Sequence, residues 1–241
     1  MGPHSQKDFL ILCDKLRFSF EVAPDGGVYS AIDAAFRHFD IYGFDRMTWI
    51  NADDLLHPTA LHNVSGIISK FPQVDWLGGR TSLLSEDGTL ENHYPPIKFP
   101  QRAVAAGIFD GRHTANGELI QQEGSFWSPY LWLSVGGVNT DFRRAGDFDL
   151  WRRFAKHSIF TSVDRTTGYF RRREGQLSGD MARYHQEIDS SLTKAELMER
   201  AEVARIYREC KTDEELGSAG FRWRVAEYHN AWMFDERPRS A

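Results

Sequence analysis

Short apolar runs alternate with amphipathic stretches through the first third of the chain, and no other feature restricts the fold as strongly. RFSFEV (17–22), RMTWIN (46–51) and VDWLGG (74–79) are short and rich in β-branched or aromatic residues, which predicts strands. VYSAIDAAFRHF (28–39) and PTALHNVSGIISKF (58–71), between them, repeat apolar residues at three- and four-residue spacing, which predicts helices. A strand that returns through a helix lies parallel to its predecessor. The alternation therefore predicts an α/β fold with a mixed, mostly parallel sheet flanked by helices. The breakers agree: Pro24-Asp25-Gly26-Gly27 separates the first strand from the first helix, and Pro58 opens the second helix, where its missing N–H is not needed. Asp87-Gly88 in SEDGTL predicts a hairpin turn, and TSVDRTTGYFRR (161–172) a further pair of short strands.

With 41% hydrophobic residues, the 241-residue chain can bury a sizeable core. A formal charge of -5 gives it no general attraction to nucleic acid, which is excluded as an expected partner. Cys13 and Cys210 are the only cysteines and stand far apart, which points to two thiols in a reducing compartment and not to a disulfide framework. MGPHSQKDF lacks an apolar export segment, and no stretch reaches about 18 consecutive apolar residues. A cytoplasmic protein is expected, with room for peripheral attachment at the inner face of a membrane. That attachment would fall to FRWRVAEYHNAWMF (221–234), where Phe221, Trp223, Tyr228, Trp232 and Phe234 are mixed with arginines; the plainer expectation is a helix packing those rings onto the domain. Residues 181–208 are charged and helix-forming, with Ile188, Leu192, Leu197, Ala201, Ala204 and Ile206 on a loose apolar face. The expected organisation is one domain over 1–178 and a C-terminal helical extension over 179–241.

The segment RMTWINADDLLHP runs an apolar strand into two adjacent carboxylates, and in an open α/β sheet the carboxyl ends of strands face the ligand crevice. Asp53 and Asp54 side by side suit a divalent cation that bridges phosphates. Taken alone, such a pair is more often a turn in which Asp54 caps the next helix. Spacing alone leaves both open.

Five blocks in order carry a resemblance. APDGGVYSAIDAAF is followed by DRMTWINADD, then VDWLGGRTSLLSEDGTL, then ELIQQEGSFWSPYLWLSVGGVNTDFRRAGDFDLWRRFA, then YFRRREGQLS. Over about residues 21–178 these resemble the family 2 glycosyltransferases of the GT-A fold. The resemblance implies a transferase that moves a sugar from a nucleotide-diphosphate donor to a saccharide or lipid-linked saccharide acceptor with inversion, in polysaccharide or glycoconjugate synthesis of the bacterial kind. It implies that Asp53 and Asp54 hold Mn²⁺ or Mg²⁺. Asp25, Gly26, Gly27 and Asp53 would bind the donor, and Asp147 would be the base that deprotonates the acceptor hydroxyl. Gln121, Gln122, Phe126 and Trp127 would line the acceptor side. From the residues themselves, Asp147 begins an amphipathic helix whose Leu150, Trp151 and Phe154 turn inward, and it also suits a simple helix cap. Asp149, two positions on, is expected to pair with Arg152 or Arg153 instead. Phe126 and Trp127 also suit a buried core.

The chain departs from the family pattern at Ser30, Asp33, Ala34 and Arg173, where relatives carry Asp, Asn, Lys and His. Only sixteen or so residues precede the match, so the first strand-helix-strand unit is expected to be largely missing. Such a loss leaves a central strand edge open and favours association of copies. The alternative function is a non-catalytic GT-A module that binds saccharide or a partner protein.

Overall fold

The computed structural model describes residues 26–38, 46–93 and 97–238. Asp25, Cys13 and the expected strand over 17–22 lie outside them. Among the described residues, a mixed seven-stranded sheet is flanked by helices. It is built from β1 (Leu55–Leu56), β2 (Trp76–Leu84), β3 (Leu90–His93), β4 (Ser125–Trp127), β5 (Thr161–Arg171), β6 (Trp223–Tyr228) and β7 (Trp232–Arg237). The main path runs β3-β2-β5-β6-β7, with β4 on the first half of β2 and β1 on the last part of β5.

The expected helices form as α1 (Val28–His38) and α2 (Ala60–Lys70). The hairpin at Asp87-Gly88 joins β2 to β3. Other expectations change. Among the described residues the sheet is not mostly parallel: only β2 with β5 and β5 with β6 run parallel, while the remaining pairings are antiparallel. The short hairpins contribute neighbours that the strand-helix alternation did not announce. RMTWIN is not a full strand; it forms a single bridge, Met47 to Trp127, at the end of the three-residue β4. TSVDRTTGYFRR is one eleven-residue strand, not a pair, since it pairs with β2 toward both of its ends and, through residues 161–163, with β6 as well.

Helices α3 (Gln101–Ala106), α4 (Pro129–Ser134) and α5 (Gly146–Ala155) follow along the chain, then α6 (Met181–Ser191), α7 (Lys194–Glu209) and α8 (Asp213–Ser218). The C-terminal region is therefore helical only to Ser218. Residues 221–234 were expected as a helix, but they enter the β6-β7 hairpin, and β6 extends the sheet beside β5. Asn230, at φ 62, takes the left-handed turn that closes the hairpin, a conformation Asn tolerates better than most residues. Phe221, Trp223 and Trp232 are buried in the fold, while Tyr228 is exposed. No helix among the described residues is long and apolar enough to cross a membrane.

Aromatic packing fixes α5 against the sheet. Trp151 stacks on Trp49 at 5.8 Å and on Trp76 at 5.4 Å, and Trp76 meets Phe154 edge-on at 5.4 Å. Leu150, Trp151 and Phe154 are all buried, as the helix pattern predicted, and each contributes about 1.5–3 kcal/mol by leaving water.

Candidate active site

The parallel strands β2 and β5 end on the same side of the sheet, and outside those ends lies a cleft of about 1030 Å³. Asp53, Gln121, Gln122 and Asp147 all line it, although they are widely separated in sequence. Leu83 and Phe170, near the strand ends, form part of its floor. This is where an α/β sheet places ligands.

Asp147 reaches the cleft from the first turn of α5. The helix carries no side-chain cap; Glu187 of α6 instead anchors the loop that leads into it, accepting hydrogen bonds from the backbone N–H groups of Arg143, Arg144 and Ala145 at 2.7 Å each. Tyr29 of α1 brings its hydroxyl to the carbonyl of Arg144 at 2.9 Å and to Asp147 Oδ1 at 3.2 Å. The phenol has one proton to give, and these two acceptors share it. Burial pushes the Asp147 carboxyl up to about 6, against the Phe148 N–H and the Tyr29 hydroxyl, and the Glu187 carboxylate adds to the rise. The close approach of Tyr29 requires Gly146: a Cβ there would lie 2.8 Å from the tyrosine ring.

Asp149 turns away from this chemistry and receives a hydrogen bond from Arg153 at 2.8 Å, as its spacing predicts. Gln122 faces the cleft while its Oε1 accepts from the indole N–H of Trp49 at 2.6 Å. Phe126 and Trp127 are not brought into the cleft. Both are buried, Phe126 under α2 and Trp127 among the tryptophans beneath α5.

The two adjacent aspartates separate. Asp53 lines the cleft, with Oδ2 accepting from Arg173 Nε and, at 3.5 Å, from Gln176 Nε2. Partial burial opposes its charge, but the bond from Arg173 and its companions outweigh this and hold the carboxyl below its usual value. Asp54 points inward. Its Oδ1 accepts from the Arg171 N–H at 2.8 Å and its Oδ2 from Asn51 Nδ2 at 2.9 Å, which ties the loop after residue 51 to the end of β5. Beside it lies Glu123, 2% exposed, with Oε2 unpartnered. Burial and then the charge of Asp54 push the Glu123 carboxyl well up, so it is the member of the pair that carries a proton near neutrality.

A small hard cation such as Mg²⁺ or Mn²⁺ needs several free oxygen ligands in one place. Asp54 has given both oxygens to the fold and Asp53 is ion-paired with Arg173. Among the described residues, no group of three or more His, Cys, Asp or Glu side chains is gathered to hold a metal. The residues present do not fit the cation that the resemblance implies.

Gly26 and Gly27 precede α1 and do not face the cleft; the Gly26 carbonyl accepts from Arg143 Nη1 and, at 3.0 Å, from Ser30 Oγ. Asp33 pairs with Arg37 one helical turn on. Tyr29, Glu123, Arg172, Gln176 and Glu187 were not singled out from sequence. The tyrosine stands inside the GGVYSA block and Glu123 directly follows Gln121-Gln122, so position within the blocks was the available signal for those two. Nothing in the sequence marked Glu187 as an anchor for a loop some forty residues away. No protein-family model and no curated protein sequence matches the chain.

Proposed function

We propose that this chain is a glycosyltransferase that moves a sugar from a nucleoside-diphosphate donor to an acceptor hydroxyl with inversion at the anomeric carbon. One observation carries the reading: Asp147, a carboxyl poised near neutrality, shares a single cleft outside the strand ends with Asp53, Gln121 and Gln122. A base is most effective when its pKa lies near the working pH. In the proposed reaction Asp147 takes the proton of the acceptor hydroxyl as that oxygen bonds to the anomeric carbon. The bond to the diphosphate breaks on the opposite face, and the diphosphate leaves with the electron pair. Gln121 and Gln122 supply amide groups to orient hydroxyls, the kind of directed polar contact that saccharide acceptors need.

The test is turnover of a panel of nucleotide sugars, followed by release of nucleoside diphosphate with saccharide and lipid-linked saccharide acceptors. Release is expected with one donor, and Asp147→Asn should lower it about 10²–10⁴-fold while leaving donor affinity within about two-fold. Full activity in Asp147→Asn would remove the base from the scheme. Saccharide binding with no diphosphate release from any donor would favour a non-catalytic module.

A further inference from the structure

The end of the cleft where the resemblance would seat a cation is occupied by guanidinium groups. Arg172 and Arg173 leave the carboxyl end of β5 and line the cleft. Arg173 is held from two directions: its backbone N–H donates to Gln176 Oε1 at 3.2 Å, and its Nε donates to Asp53 Oδ2. Gln176 is itself tied to the Arg171 carbonyl. Among the described residues only Nε of Arg173 is engaged by protein, so the terminal nitrogens of a half-exposed, oriented side chain remain to face a ligand. Among the same residues the Arg172 side chain makes no hydrogen bond, and its ion-pair partner Glu91 is 3.9 Å away. Near Asp147, Arg144 also lines the cleft, with Nε buried and unpartnered.

Planar, always-charged guanidinium groups match phosphate oxygens two at a time. Glu86 and Glu174 line the same end, so attraction there comes from directed N–H groups more than from net charge. We infer that Arg173, positioned by Asp53 and Gln176, together with Arg172, binds the phosphates of the donor, and that this binding takes no divalent cation. Asp53 then acts through Arg173 as a positioning residue, and Asp54 holds the loop. The inference rests on the transferase reading for the identity of the ligand.

Calorimetry of the full chain with UDP, GDP, dTDP and inorganic pyrophosphate, in EDTA and in Mn²⁺, tests it. The best-bound of these should have a Kd in EDTA within about two-fold of that in Mn²⁺. Arg173→Ala should weaken it about 10- to 100-fold, the loss expected for charge-assisted hydrogen bonds, and Arg173→Lys should recover part of the affinity. Asp53→Asn should weaken binding equally in EDTA and in Mn²⁺, with an unchanged melting temperature. Binding that appears only with Mn²⁺, a Mn²⁺ requirement that rises in Asp53→Asn, or wild-type affinity in Arg173→Ala overturns the inference and leaves the transferase reading standing. If none of the probes binds under either condition, both fall together.

Discussion

Burial raises the Asp147 carboxyl, and of its neighbours the Tyr29 hydroxyl opposes that rise while the Glu187 carboxylate adds to it. The ionised form is needed for base catalysis, so kcat/KM should rise with pH through about 6. Tyr29→Phe removes a hydrogen bond that favours the charge and should move that midpoint upward; a pH-rate profile unchanged from wild type would detach Tyr29 from the base. The same shift affects stability. The folded state binds more protons than the unfolded state between the ordinary carboxylate range and about 6, so the contribution of Asp147 to stability is greatest below that window and falls as pH rises through it. Asp147→Asn should therefore stabilise the fold at neutral pH by of order 1 kcal/mol, a gain that shrinks toward pH 4, as urea titrations at several pH values would show. Asp54 presents the opposite case, a carboxylate serving the fold. Asp54→Ala leaves the Arg171 N–H without its partner and should cost about 1–3 kcal/mol in a denaturant titration. Intact stability with lost ligand binding would instead place Asp54 at the ligand. The acidic pair was visible in sequence, but which of the two faces the cleft was not, since that depends on β1 pairing with the end of β5.

Among the elements, α5 is the one that aims the site, and it depends on two others. Helix α6 supplies Glu187 to the backbone N–H groups of residues 143–145 just ahead of α5, and α1 lays Tyr29 across Gly146. Glu187→Gln weakens this anchor of the entering loop and removes a neighbouring negative charge. It should lower stability by about 1–2 kcal/mol and shift the kcat/KM midpoint downward, opposite in sign to Tyr29→Phe. A shift in the same direction for both variants would show that global loosening, and not local charge, sets the profile. Strand β5 plays the equivalent part on the other wall. Its Gly168 lets the loop through Glu123 lie flat on the sheet, since a Cβ there would come within 2.3 Å of the Glu123 carbonyl oxygen. Helix α5 was readable because Leu150, Trp151 and Phe154 repeat at helical spacing. The single long β5 was not, because charged and polar residues in its middle resemble a turn, and the continuity of the strand comes from its pairing with β2 on either side of them.

At the scale of the molecule, the C-terminal region closes around the α/β core by charge and by sheet extension. Asp110, fully buried, receives Arg112, His113 and Arg200, and Asp189 of α6 receives Arg112 and Arg200 in turn. Arg200→Ala withdraws one cation from this network while Arg112 remains, so a loss of about 1.5–3 kcal/mol is expected in thermal or urea unfolding. The β6-β7 hairpin covers one side of β5, and ending the chain at Gly220 should leave that edge unpaired and drive association, visible by size-exclusion chromatography. A monodisperse monomer after truncation would mean that the hairpin is dispensable. The sequence by itself determined the α/β class, helices α1, α2 and α5, the β2-β3 hairpin and the candidates Asp53, Gln121, Gln122 and Asp147, because periodicity, turn chemistry and motif order are local properties of a chain. Only the tertiary structure decided that most of the described strand pairings are antiparallel, that 221–234 is a hairpin, that Phe126, Trp127 and Asp54 face inward, and that Arg173 rests on Asp53. Each of these turns on which distant segment supplies a hydrogen bond, a charge or a covering surface, and a one-dimensional pattern carries no record of that.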